Sequence, residues 1–168
     1  MGEFGDDQTR AQILKEARAL FFRGMAAGWV VGAQETAVPD MPGYREITYQ
    51  EVGSDYRLTD RFCVIPGSSR SEGATRIWKG DVPLWVMTYA GFYEQSVLGF
   101  LMRVLHRTYT DQNFFGGRGP HTALEGRLLY INIPVGKGFE SFSGREEVVD
   151  TIQGGVKGIH DYKGMALI

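Results

Sequence analysis

Asp60 is the residue whose setting most suggests chemistry. In the run 55–65 side chains alternate, which puts Tyr56, Leu58, Asp60, Phe62 and Val64 on one face and Asp55, Arg57, Thr59, Arg61 and Cys63 on the other. The carboxylate therefore interrupts an apolar face. There it needs hydrogen bonds or a partner, and it is suited to anchoring a ligand or moving a proton. The pattern also fits a salt bridge to an arginine inside the sheet, or a bulge that turns Asp60 outward. Downstream, Trp78, Trp85, Met87, Tyr89, Phe92 and Tyr93 crowd into one stretch. Such aromatic clusters build cores, and they also line pockets because tyrosine and tryptophan present one polar end. Glu146 and His160 are further candidate polar anchors, His160 alternating with Tyr162 opposite Asp161.

Other chemistries lack their signatures. Gly116-Gly117-Arg118-Gly119 has the glycine content of a phosphate loop, but Pro120 and a strand follow where Lys-Ser/Thr and a helix are required. It reads as a turn, with Arg118 available to a carboxylate or phosphate. His106, His121 and His160 are far apart, so no metal site is expected. Gly-x-Ser-x-Gly is absent, and Cys63 stands alone, which excludes an internal disulfide and a cysteine zinc site. No catalytic residues, metal or cofactor are assigned.

The elements that must position these residues follow from periodicity. Ile13, Leu14, Ala17, Leu20 and Phe21 recur at helical steps over 9–23, with Thr9 to Gln12 as a capping box and Gly24 as the stop. Residues 1–8 read as a flexible tail. A short Trp29-Val30-Val31 patch leads to a Pro/Gly loop at 36–43. The period then becomes two in runs 44–52, 55–65, 72–79 and 83–90, whose short connections dictate antiparallel hairpins. Run 84–90 is apolar on both sides, which predicts a central strand covered on both faces. A second amphipathic helix spans 92–110, with Tyr93, Val97, Leu98, Leu101, Met102 and Leu105 on its broad apolar face. After the glycine loop at 111–121, strands are expected at 124–133, 138–142, 146–152 and 156–162. The order helix, strands, helix, strands gives an α+β domain, a curved and mostly antiparallel meander packed on two helices.

Composition agrees with one domain. The chain has 168 residues, 43% hydrophobic and 23% charged, enough for a single sizeable core. A formal charge of −2 leaves no global footprint for nucleic acid or an anionic surface. No apolar run reaches membrane-spanning length and no secretory leader pattern opens the chain, so a cytoplasmic protein is expected. The 23 glycines predict many tight turns.

Several segments in succession resemble a bacterial domain family of unknown function. It occurs as short free-standing proteins and as the C-terminal part of Cro-type helix-turn-helix regulators. They are Ile13-Leu14-Lys15-Glu16-Ala17, Trp85-x-Met87-x-Tyr89-x-Gly91, Arg118-Gly119-Pro120, Phe142-x-Gly144-x-Glu146-x-Val148 and Tyr162-x-Gly164. The family's closing His-Gly-Gly is here Lys163-Gly164-Met165. The resemblance implies a regulatory or sensing module. This chain, with no second helix at helix-turn-helix spacing, would be a stand-alone version, in keeping with an accessory or mobile-element gene product.

The reading that follows is a non-catalytic small-molecule-binding or sensing domain, with its pocket between the concave sheet face and the second helix. Trp78, Trp85, Tyr89 and Tyr93 would form its walls, and Asp60, Glu146 and His160 its polar anchors. The alternative is a homodimeric protein-interaction module built on a strand edge or on Phe114 and Phe115, two adjacent aromatics in a glycine loop that mark a contact site or a tucked anchor. A third reading is an enzyme using Asp60 as acid or base.

Overall fold

A computed structural model of the chain describes residues 7–30 and 34–168. Helix α1 runs Asp7–Met25, burying Ile13, Leu14, Ala17, Leu20, Phe21 and Met25 at the expected spacing. Of the expected N-terminal tail, residues 1–6 lie outside the described residues, and Asp7 and Gln8 are already helical. Gly24 does not stop the helix. It is buried inside it, where a Cβ would come within 3.0 Å of Leu58, so glycine serves the close approach of helix to sheet. The chain continues into a π-helical turn, Ala26–Val30. Of the Trp29-Val30-Val31 patch, Val31 lies outside the described residues.

Among the described residues nine strands form one sheet: β1 (Thr36–Ala37), β2 (Tyr44–Gln50), β3 (Tyr56–Val64), β4 (Arg70–Lys79), β5 (Val82–Tyr93), β6 (Thr122–Glu125), β7 (Leu128–Gly138), β8 (Ser141–Asp150) and β9 (Val156–Ala166). Helix α2, Leu98–Asp111, follows a short 3-10 turn at Gln95–Val97 and separates β5 from β6. The spatial order is β1-β2-β3-β4-β5-β9-β8-β7-β6, and every pairing is antiparallel. The fold is thus α+β with a curved, unclosed sheet. No helix among the described residues is long and apolar enough to cross a membrane.

The order is nearly palindromic. Each main helix is followed by an antiparallel meander, and the two meanders join through their last strands, β5 and β9.

Several boundaries differ from the sequence expectation. β1 lies in the expected 36–43 loop, and β9 runs on to Ala166. Residues 91–93 belong to β5, because Gly91, Phe92 and Tyr93 pair with His160, Ile159 and Gly158 of β9, and this ladder overrides the local helical period. The run 124–133 is split by a Gly126-Arg127 turn into the hairpin β6–β7. Residues 138–142 straddle the β7–β8 turn, with Phe139 tucked into the core.

Both helices pack on the same side of the sheet. Along β5, Trp85, Met87, Tyr89 and Tyr93 are buried on that inner face, while Thr88 and Ala90 are exposed on the outer one. The strand is central, as expected, but covered on one face rather than two. Phe21 of α1 is the centre of the aromatic core, meeting Trp85, Tyr109, Phe114 and Phe139 edge-on. In each half this packing leaves the inner face of the second and third strands to carry the polar residues described next.

Candidate functional site

Between the inner face of the sheet and α2 lies a cavity of about 450 Å³. Leu98, Leu101, Met102 and Leu105 of α2 form one wall, and Trp29, Phe62, Tyr89 and Tyr93 the other. Ser71, Gln95, Tyr109, Arg118 and His160 are its polar lining residues, and the β3–β4 turn at Gly67-Ser68-Ser69 borders it. Its size and mainly apolar lining are those of a small-molecule site.

Behind the aromatic wall sits Asp60, fully buried on β3 opposite Thr75 of β4. Its carboxylate accepts hydrogen bonds from Trp29 Nε1 at 2.6 Å, Thr75 Oγ1 at 2.9 Å and Tyr89 Oη at 3.0 Å. The π-helical turn is what brings Trp29 there, stacking its ring obliquely on Phe62 at 4.9 Å. Burial raises the Asp60 pKa, and the three donors and the charge of Arg118 oppose that rise only in part.

The second polar centre is Glu146 of β8, also fully buried, held in register between Asn132 of β7 and His160 of β9. Arg118 reaches it from the glycine loop and donates from Nε at 2.8 Å and again from Nη2. Tyr93 and Tyr130 donate their hydroxyls at 2.8 and 2.6 Å. Burial alone would raise the Glu146 pKa. The Arg118 charge and these donors outweigh it, so Glu146 is held below the usual carboxylate range. Arg118 is itself only 7% exposed, with its guanidinium 5.2 Å over the Tyr89 ring.

His160 links this centre to the cavity surface. Its Nδ1 lies 3.2 Å from Arg118 Nη2 and its Nε2 lies 3.0 Å from Ser71 Oγ. A guanidinium can only donate, so Nδ1 accepts and the ring proton sits on Nε2, donating to Ser71. Burial first, then the neighbouring Arg118 charge, pulls the His160 pKa down to about 3, which keeps the ring neutral.

Of the seven residues singled out from sequence, Tyr89, Tyr93 and His160 line the cavity. Asp60 and Glu146 stand directly behind it and orient the lining through Trp29, Tyr89, Tyr93 and Arg118. Trp78 and Trp85 do not belong to it. Trp78 lies on the outer face beside Arg57, its Nε1 donating to Thr59 at 3.0 Å, because β4 turns that position away from the helices. It borders a shallow outer groove with Arg61, Arg76 and Lys163. Trp85 is core, stacked on Phe139 at 4.6 Å and donating to its carbonyl at 2.8 Å.

Sequence reasoning passed over Trp29, Ser71 and Tyr109 as site residues, and read Arg118 as a turn residue available to a carboxylate or phosphate; the carboxylate it meets is Glu146. Arg118 carried a signal, an arginine in a run of small residues just before a strand, but its partner lies across the fold. Trp29 carried none, since only a π turn aims it at Asp60. A scan against protein-family models, a search of curated proteins and a search of solved structures each found no match.

Proposed function

We propose that this chain is a non-catalytic small-molecule-binding or sensing domain whose ligand occupies the cavity between the inner sheet face and α2. We read it as related to the bacterial domain family that its motifs resemble. The carrying observation is a largely apolar cavity of about 450 Å³ with a few fixed polar groups at its wall. The polarity of the Ser71–His160 pair argues for binding over catalysis. A serine nucleophile needs a histidine that accepts its proton and a carboxylate that orients the ring. Here the ring donates to Ser71, an arginine faces its other nitrogen, and its basicity is low. Asp60, fully buried behind Trp29 and Tyr89, is out of reach of a substrate as an acid or base. The homodimer reading has less support, since Phe114 packs as a tucked anchor on Phe139 and Phe142, and the edge strands β1 and β6 are short.

Native mass spectrometry of the purified chain and of Met102→Trp, which fills the cavity from its α2 wall, tests this reading. A small-molecule adduct on the wild type that is missing from the folded variant supports it. A bare wild type whose melting temperature moves with no member of a hydrophobic ligand library overturns it.

A further inference from the structure

Resting on the cavity reading, we infer that the occupant is an uncharged, largely apolar molecule bearing a hydrogen-bond acceptor, such as a ketone or ester carbonyl, and not a carboxylate or phosphate. The first ground is the count of buried charge. Arg118 is the one buried cation among the described residues, and it is already paired with Glu146, while Asp60 adds a second acid behind the cavity; the third buried acid, Asp150, pairs with Arg127 and does not line it. The groups around the cavity therefore sum to zero if Asp60 holds a proton and to minus one if it does not. In neither state is there a positive charge left over to repay the desolvation of an anion.

The second ground is the direction of the hydrogen bonds still unmade. The Arg118 Nε and Nη2 groups serve Glu146, Tyr93 and His160, whereas Nη1 has no partner among the described residues and can only donate. Ser71 receives the His160 Nε2 proton, so its own hydroxyl hydrogen is free to be given. Tyr109 lines the same cavity, is 2% exposed, and its hydroxyl is buried with no hydrogen-bond partner among the described residues. A buried polar group left in that state is costly, and natural proteins seldom keep one without a use. Arg118 Nη1 and the Ser71 hydroxyl both call for an acceptor on the ligand, and the Tyr109 hydroxyl, sealed in this structure, would reach the same acceptor after a side-chain shift. The flat walls of Trp29, Phe62, Tyr89 and Tyr93 suit a planar body.

Three naphthalenes of one shape and different heads decide the matter: acetylnaphthalene, naphthoate and ethylnaphthalene, titrated into the wild-type chain by calorimetry near neutral pH. The ketone is expected to bind about tenfold more tightly than either of the others. Ser71→Ala and Tyr109→Phe should each narrow its advantage over the hydrocarbon, and Met102→Trp should weaken all binding. Naphthoate binding as tightly as the ketone overturns the uncharged class and leaves the cavity reading intact. Ethylnaphthalene matching the ketone, or an undiminished ketone advantage in both polar variants, overturns the acceptor. No binding of any of the three, or binding untouched by Met102→Trp, overturns the cavity reading and this class with it.

Discussion

Asp60 and Glu146 are both fully buried carboxylates on the inner face, yet burial wins at one and loses at the other. The difference is Arg118, which touches Glu146 directly and acts on Asp60 only at longer range. Glu146→Gln would leave that arginine buried and unpaired, so a loss of about 3–5 kcal/mol is expected in urea denaturation. The pair Glu146→Gln with Arg118→Met should recover much of it, and a double variant no better than the single would show that charge is not what the site needs. His160 sets a second expectation. In the unfolded chain it takes its proton near the ordinary value of 6.5, whereas in the folded protein it holds out to about 3. Protons below about pH 6.5 therefore favour the unfolded chain. The contribution is complete above that pH and falls as pH drops. By about pH 5 the loss is about 2 kcal/mol at 1.4 kcal/mol per unit, and it should be missing from the difference between unfolding curves of His160→Asn at the two pH values.

At the scale of elements, Phe114 shows how an exposed-looking motif is absorbed. The loop after α2 lays it against Phe21, Phe139 and Phe142, so that the glycine loop, α1 and the β7–β8 turn share one aromatic contact. Phe114→Ser should lower stability by about 2–3 kcal/mol, read as a drop in melting temperature, with the sedimentation mass unchanged. A change of mass without a change in melting would restore the loop as an interface. Local periodicity was enough to read both helices, most strands and the inward aim of Asp60, since one apolar face is a local property. It failed where distant pairing decides. Gly91, Phe92 and Tyr93 have helical spacing but are claimed by β9, and Trp78 follows the outward parity of β4 despite its apolar ring. Half of the candidate site was legible for the same reason. Tyr89, Tyr93 and His160 sit on strands with a readable period, while Arg118 and Trp29 arrive from a loop and a π turn whose geometry only the finished fold supplies.

Over the whole molecule the two meanders repeat one arrangement across the β5–β9 seam, where Tyr89 and Tyr162 stand opposite each other. Tyr89 donates to Asp60 of β3, and Tyr162 to Asn132 of β7. Each ring lies over a glycine of the adjoining strand or its neighbour, Gly73 and Gly144, where a Cβ would collide with the tyrosine hydroxyl and with the carbonyl of Arg61 or Ile133. Gly73→Ala and Gly144→Ala should therefore destabilise to a similar degree, by about 1–3 kcal/mol, and Tyr89→Phe or Tyr162→Phe should relieve part of the cost in its own half only. Unequal costs, or relief across the seam, would deny the equivalence. The acid has changed strands between the halves, from β3 at Asp60 to β8 at Glu146, and only the second has a cation of its own. The cavity straddles this seam, with Trp29, Phe62 and Tyr89 coming from one half and Arg118 and His160 from the other. β9 follows every other strand in chain order, yet it fills the middle of the sheet. As the chain leaves the ribosome, the first meander must wait with its β5 edge bare until its final neighbour arrives, and such a long closure is slow. A molecule gripping both halves would act as a clasp on that last step, so a cell short of it would first see a maturing pool that lingers half-zipped and open to proteases.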